Sequence, residues 1–414
     1  MTNDINKRAI NTKALIAILF TISLIIFSEQ AFEAAVNGLH TWWEVVFPAL
    51  LPFFIMAEIL MGLGVVHFMG TLLEPLMQPI FKVPGVGAFA FAMGLASGYP
   101  IGAKITGNLR REKLCTQAEG ERLVSFTNTA DPLFMIGAVA VGMFGNAKLG
   151  TTLALAHYIS CLIVGIGLRF YNPKENNQDV VRNTNTEGNI FTRAFSELYQ
   201  ARKRDGRSLG QLIGDATKES LNTLLLIGGY IILFSVLTRV LALVGFTKFI
   251  TAGIVFVLKP FGFDQSLVLP IISGLFEITN GSHLASQTMA PLSQKLIITS
   301  GIIAWSGLSV HAQVATMING TDLRMKPYLW ARVFHGITAS LVTYFLFEPL
   351  EAISSNLVTP VTSIANRVHY TIGYWDHFAK MSSGLLLFLG FLTFTSLTIY
   401  FLKKIKLVMF HYSE

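Results

Sequence analysis

The sequence is poor in charge. Only 13% of its 414 residues are Asp, Glu, Lys or Arg, and 52% are hydrophobic. Soluble globular chains carry about 25% charged residues. Polar surface this scarce excludes a water-soluble enzyme or binding module. Cysteine is almost missing: Cys115 and Cys161 make no disulfide framework, and Cys161, inside an apolar run, reads as a core residue. No Walker A loop occurs, which argues against ATP-driven transport within the chain, and no H-E-x-x-H zinc motif occurs. GLASG (94–98) is close to the G-x-S-G of intramembrane serine proteases, but Leu95 stands two places before Ser97 and the match is discounted. No enzyme activity, metal or organic cofactor is expected.

What the sequence has instead is apolar length. Several runs reach the roughly 20 residues that a spanning helix needs, so the chain reads as an all-α polytopic membrane protein whose first partner is the lipid bilayer. Spanning helices are expected near 14–36, 44–66, 121–144, 147–170, 219–245, 296–318, 327–347 and 381–402, with interfacial segments at 67–82 and 246–262. The stretch 14–27 follows a polar, basic leader and has two readings, a cleaved signal or a first spanning helix. No A-x-A site follows, and the helix reading is preferred. The net charge of +7 belongs to cytoplasmic loops in such a protein and does not imply nucleic acid.

Two apolar runs fit no span. Residues 86–98 and 266–278 each meet a polar break too early. At 1.5 Å per residue each reaches about 20 Å, short of a hydrocarbon core of about 30 Å. Each is followed by another short helical stretch, which predicts re-entrant hairpins near 86–107 and 264–290. Bare turn backbone is tolerated at that depth only inside protein or beside a wet cavity.

The two halves also match each other. FKVPGVGAFAFAMGL (81–95) pairs with LKPFGFDQSLVLPIISGL (258–275), SFTNTADPLFMIGAV (125–139) with AWSGLSVHAQVATMI (304–318), and HYISCLIV (157–164) with HGITASLV (335–342). The offset stays between 177 (Lys82 to Lys259) and 180 (Gly94 to Gly274), which indicates an internal duplication. With the N-terminus inside, most Lys and Arg fall on inside segments (1–13, 67–82, 107–122, 171–218, 319–326 and the KKIK tail). The same placement runs the repeats in opposite directions, and inverted repeats with broken helices mark secondary transporters. The expected organisation is an N-terminal tail and first helix (1–43), a first inverted repeat (44–170), a cytoplasmic polar loop (171–218), a second repeat (219–347), and an outer loop, last helix and basic tail (348–414). Both termini are then cytoplasmic, and homo-oligomerisation is left open.

The breaks carry the chemistry. Ser97, Gly98, Tyr99 and Pro100 form the first tip, and EITNGSH (277–283) forms the second. Pro100 suits the first turn of the outgoing helix, with Ser97 or Tyr99 near its cap. In the second tip Thr279, Asn280 and Ser282 are the capping candidates. Each tip then aims helix N-terminal N–H groups at the midplane, where they favour anions and carboxylates in particular. In FTNTADPLF, Asp131 before Pro132 reads as a cap followed by a first turn. Thr127, Asn128 and Asp131 are expected to face a cavity, opposite Ser306, Ser309, His311 and Gln313. Asp131, Glu277 and His311 are the foremost candidates, because ionisable groups inside membranes are costly and usually functional; the alternative is a structural hydrogen bond between hairpin and helix. Lys104 is expected to snorkel. Glu58, Arg239 and Arg332 are read as interhelix pairs or interfacial groups, and His157 and His335, one per repeat, as packing residues. Two carboxylates would repel a dianion. Asp131 and Glu277 must therefore be protonated, paired with a cation such as Na⁺, or turned away from the ligand, and coupling to Na⁺ or protons is the expected reason for their presence.

SGYPIGAK, FTNTADPLF, ITNGSH and the repeated architecture resemble the sporulation integral membrane protein YlbJ family, over roughly residues 40–402. That family carries the nucleoside-recognition Gate domain and is distantly similar to concentrative nucleoside transporters. The resemblance implies a mother-cell-derived membrane around the forespore of a spore-forming bacterium, and movement of dipicolinate, a small aromatic dicarboxylate, toward the forespore. By motif position it places solute binding on Ser97, Tyr99, Asn128, Glu277, Thr279, Asn280 and Ser309. The expected function is secondary transport or facilitation of a small anionic aromatic solute. The rivals are a non-transporting Gate-domain scaffold or signalling protein, a nucleoside transporter, and a solute-independent pore.

Overall fold

The computed structural model describes residues 2–171, 189–356 and 387–402, and all regular structure within them is helical. Helix α1 (Thr2–Ile26) ends at Phe27. Helix α2 (Ser28–His40), a π-helical stretch (Thr41–Val46) and α3 (Phe47–Gly62) then follow without a turn. This corrects the expected pair of spans at 14–36 and 44–66: the stretch between them is helix, and Ser28–Gly62 is one run of 35 residues. Its polar residues suggest a loop, but they sit at helical spacing, as in the His40 Nδ1–Glu44 Oε1 contact of 3.0 Å. Pro48 lies in the first turn of α3, where a missing N–H costs nothing.

Helix α4 (Val65–Leu76) leads to a helical pair, α5 (Gly87–Ser97) and α6 (Ile101–Arg111). Helix α7 (Gln117–Thr127) opens on a reciprocal capping box between Thr116 and Glu119. It breaks at 128–131 and resumes as a π-helix, Phe134–Met143, before α8 (Leu149–Leu168). Phe81, Phe91 and Phe126 pack beneath this first pair, with Phe81 and Phe126 stacked at 4.5 Å between centroids.

The expected polar loop 171–218 contains a helix, α9 (Ile190–Asp205), capped by the Asn189 side chain; residues 172–188 lie outside the described residues. Ile190 and Ala194 bury against Leu72 of α4, and Arg193 Nη2 reaches Glu74 Oε2 at 2.6 Å. Helix α10 (Leu209–Leu243) starts at a second capping box, Ser208 with Gln211. Trp42 Nε1 donates to Leu224 O at 2.9 Å and ties α10 to the α2–α3 rod.

The second half repeats the plan. After α11 (Phe246–Leu258) come a helical pair, α12 (Val268–Phe276) and α13 (Ile278–Gln287), and a helix broken at Ser306 into α14 (Leu292–Trp305) and α15 (Gly307–Met317). The long α16 (Met325–Asn356) follows, and α17 (Leu387–Leu402) lies in the expected last span. Helices α8 and α16, equivalent in the two repeats, pack side by side. The His157 and His335 rings meet there at 4.6 Å, tilted by 43°, and His335 Nε2 lies 3.0 Å from His157 O.

Among the described residues, Ser28–Gly62, Leu149–Leu168, Leu209–Leu243 and Leu292–Met317 are long and apolar enough to cross a bilayer. The outer face carries large bare apolar side chains, such as Phe249 at 83% and Phe256 at 78% exposure, while Asp131, Glu277 and Arg332 are buried. That inversion of the water-soluble pattern is what a lipid surround requires.

Candidate functional site

Both helical pairs turn within a few residues, and each turn abuts the break of the helix that follows it. In the first, Gly98 has φ +68° and ψ −159°, a region open essentially to glycine alone. A Cβ there would lie 2.4 Å from Asp131 Oδ2. Gly94 and Gly102 close on the Thr127 carbonyl oxygen, with Cβ positions 1.8 and 2.2 Å from it. In the second, Gly307 has φ +71°, and a Cβ there would meet Glu277 Cα at 3.1 Å. The joints thus carry the same two parts in exchanged places. In the first, glycine is on the tip and the carboxylate on the break; in the second, Glu277 is on the tip and Gly307 on the break.

Each carboxylate caps a helix. Asp131 Oδ1 accepts the Phe134 N–H at 2.8 Å, so the expected cap before Pro132 is present. Glu277 has extended backbone (φ −148°, ψ 127°), and its Oε2 accepts the Asn280 N–H at 2.7 Å. Two expectations are corrected here. The second tip is capped by Glu277, not by the Thr279, Asn280 or Ser282 side chains, because the longer Glu side chain folds back onto the first turn. Pro100 stands at the cap position itself, with α6 beginning at Ile101, and neither Ser97 nor Tyr99 caps that helix.

Six of the expected residues meet in one central cavity of about 60 Å³: Tyr99, Asp131, Glu277, Thr279, Ser309 and Gln313. Leu50 and Phe54 of α3, Phe134, and Ile227 and Tyr230 of α10 complete the apolar wall. The others lie elsewhere. Ser97 closes α5, and Gly98 is packed under Asp131. The Thr127 hydroxyl donates to Leu123 O at 2.8 Å inside its own helix, and Asn128 Nδ2 donates to Tyr328 OH at 3.1 Å. Ser306 Oγ lies 3.5 Å from the same phenol, and His311 Nε2 2.9 Å from Trp305 O. Trp305 turns its Nε1 to Leu275 O at 3.1 Å. Asn280 donates to Ile231 O and Ser235 Oγ and lines a separate, larger cavity of about 670 Å³ with Glu33, His40, Glu44 and Arg239.

Sequence reasoning missed Tyr328 and misread Arg332. Tyr328 joins the two breaks through Asn128 and Ser306, residues about 200 and 22 positions away in the chain. Arg332 was expected as an interhelix pair or an interfacial group, but no carboxylate lies within ion-pair distance of it among the described residues. Its guanidinium lies instead against the carbonyls of Ser125 and Ala304, at the C-terminal ends of the first segments of both broken helices. An arginine inside a predicted span was the one available signal.

The Gate family, described as nucleoside recognition, matches residues 43–164. The sporulation integral membrane protein YlbJ of Bacillus subtilis (strain 168) is 48% identical over 348 residues, 83% of this chain and 85% of that protein. Among solved structures, a doubly substituted CNTnw in an outward-facing state aligns over 85% of this chain and 87% of its own, at 12% identity and a TM-score of 0.41.

Proposed function

This chain belongs to the family of the sporulation integral membrane protein YlbJ, and from that membership and its central cavity we propose a secondary transporter that binds a small solute between its two tips and two helix breaks. The observation that carries the reading is the convergence on one cavity of Tyr99 from the first tip, Asp131 from the first break, Glu277 and Thr279 from the second tip, and Ser309 from beyond the second break. A scaffold or signalling protein has no need of four interrupted elements meeting in its interior. Pockets that enclose a whole small molecule measure roughly 300–1,000 Å³. At about 60 Å³ the cavity is a contracted state that widens around its cargo.

The cargo we favour is a small aromatic dicarboxylate, dipicolinate in the setting of sporulation, taken up across a membrane surrounding the forespore. Phe54, Tyr99, Phe134 and Tyr230 offer aromatic faces, and Thr279, Ser309 and Gln313 offer neutral polar groups. The N–H groups expected to attract an anion already hold Asp131 and Glu277. A dianion is therefore admitted only when those carboxylates are neutralised, and a proton or Na⁺ bound there is the coupling ion. Both tips and both breaks would re-aim together as the ion and solute leave. A neutral nucleoside is the second reading, favoured by the description of the family matching residues 43–164.

The deciding experiment is binding of dipicolinate, a nucleoside and an aliphatic dicarboxylate to the purified protein, across pH and Na⁺ concentration. Dipicolinate affinity that rises with acidity or Na⁺ is expected. Nucleoside binding without dipicolinate binding defeats the anion reading, and an affinity indifferent to both ions removes Asp131 and Glu277 from coupling.

A further inference from the structure

Arg332 on α16 is fully buried, at 0% exposure. Its Nη2 donates to Ser125 O at 2.5 Å, while Nη1 reaches Ala304 O and Tyr99 OH only at 3.4 and 3.5 Å. Nε has no hydrogen-bond partner among the described residues. The guanidinium carbon lies 5.4 Å from the centre of the Tyr328 ring. A guanidinium presents five N–H donors in a fixed fork; here one of them makes a strong bond. A buried charge is costly unless it is paired and its donors are used. Ser125 and Ala304 sit in the last turns of α7 and α14, whose negative ends favour a cation. That explains why a positive charge is tolerated at this place. It does not explain why a fork that suits a carboxylate is left with an idle Nε and two overlong contacts.

The neighbours are idle too. Asn128 Oδ1 and His311 Nδ1 are buried and lack partners among the described residues. Asn128 and His311 both touch Tyr328, by the 3.1 Å hydrogen bond and by a ring contact of 5.4 Å. Three unsatisfied polar atoms thus gather around one phenol, where buried polar groups are normally satisfied. Tyr99 is the wall between this cluster and the central cavity: it lines the cavity, and its hydroxyl, donating to Ile303 O at 3.1 Å, is the cavity-side group nearest Arg332.

We propose that Arg332 is the anion-selecting residue of the solute site. As the first tip withdraws Tyr99, one carboxylate of the solute takes Nε and Nη1 of Arg332 in a two-pronged contact. The proposal rests on the transporter reading and narrows it: the cargo has at least one carboxylate, held by a fixed cation at one end of the cavity. Asp131 and Glu277 with their coupling ion then stand toward its other end. The neutral-nucleoside reading gives the arginine nothing to do.

The test uses the full-length protein in detergent and three probes of nearly one shape: pyridine-2,6-dicarboxylate, pyridine-2-carboxylate and pyridine-2,6-dicarboxamide. The wild-type protein is expected to bind the dicarboxylate in preference to the dicarboxamide. Arg332→Lys keeps the charge but loses the fork, and weakens dicarboxylate binding about tenfold, the loss of one charge-assisted hydrogen bond. Arg332→Gln brings the dicarboxylate-to-dicarboxamide ratio to about one, a change that a purely structural role would not produce. Tyr99→Phe, which keeps the ring and removes the hydroxyl beside the guanidinium, raises that ratio, and it serves where Arg332 variants fail to fold. A folded Arg332→Gln protein with the wild-type ratio overturns the proposal, as does a Tyr99→Phe ratio at or below wild type. A wild-type protein that binds dicarboxamide as well as dicarboxylate overturns anion selection and leaves transport standing. One that binds none of the probes overturns anion selection and the aromatic dicarboxylate as cargo.

Discussion

Glu121 and Arg324 join the two repeats, and the structure sets unequal costs for cutting the joint from either side. Glu121 is fully buried, whereas the Arg324 side chain is 56% exposed. The carboxylate accepts from Arg324 Nε at 2.7 Å, Arg324 Nη2 at 3.0 Å, the Arg324 N–H at 3.0 Å and Tyr171 OH at 2.7 Å. Arg324→Ala removes the charged donors and leaves a buried carboxylate behind. Breaking a buried pair in this way costs about 3–5 kcal/mol. The backbone N–H and the Tyr171 hydroxyl stay in place, so the expected loss is at the lower end, about 3 kcal/mol. Glu121→Ala frees an arginine that can turn to water, and its cost is that of the remaining donors, about 1–3 kcal/mol. The double variant is expected to show a coupling of about 2 kcal/mol, within the range for contacting residues. The assay is the folded fraction of detergent-purified protein after graded heating, read by size-exclusion chromatography for both single variants and the double. Additive effects, or a Glu121→Ala protein weaker than Arg324→Ala, would refute the claim that the buried carboxylate dominates this joint.

The first break gives a second test: Asp131→Ala removes the cap on Phe134, costs about 0.5–2 kcal/mol of stability, and abolishes solute uptake while the protein still inserts; normal uptake returns Asp131 to a structural role. Gly94→Ala places a Cβ 1.8 Å from the Thr127 oxygen, a backbone atom with no rotamer to yield. It should cost about 1–3 kcal/mol by overpacking, with a matching fall in thermal stability; wild-type stability would contradict the described contact. Asp322 receives Arg110 Nε and Nη2 at 2.7 Å each, and this fork holds its carboxyl below the usual Asp range. A depressed value means that the contribution is present above about pH 4, the unfolded range, and is lost as pH falls through the lowered folded value. Asp322 is half exposed, so the effect is small: acid-induced loosening should be shallower in Asp322→Asn, and identical acid profiles would remove the fork from the account.

The breaks were legible because glycine, proline and a lone Asp interrupt apolar runs that are otherwise unbroken. The duplication was legible because each repeat keeps the same interruptions at nearly one offset. The Ser28–Gly62 rod was not, since its polar residues read as a loop until their helical spacing is followed. Helix α9 was hidden by the polar composition of its surroundings, although Ile190 and Ala194 supply a buried stripe. Local chemistry predicted the Asp131 cap correctly and the second tip wrongly. Thr279 and Asn280 are good caps by residue type, but the helix already begins at Ile278, where Glu277 caps it from an extended backbone by accepting the Asn280 N–H. Tyr328 was beyond reach: nothing in the residues around it marks its contacts with Asn128 and Ser306, which only the folded repeats bring together.

The tight glycine contacts also decide what can move. Gly94 and Gly102 grip the Thr127 carbonyl, and Gly307 sits against Phe276 O and Glu277. Each helical pair is thereby packed tightly against its own broken helix. The contacts between the two repeats include Tyr99–Ile303, Asn128–Tyr328, Arg332–Ser125 and His335–His157. Three of these four end on a main-chain carbonyl, an acceptor that recurs at every turn of a helix. Any sliding of one repeat against the other would have to part those contacts together with the Glu121–Arg324 and Arg110–Asp322 pairs, whose side-chain partners do not recur along a helix.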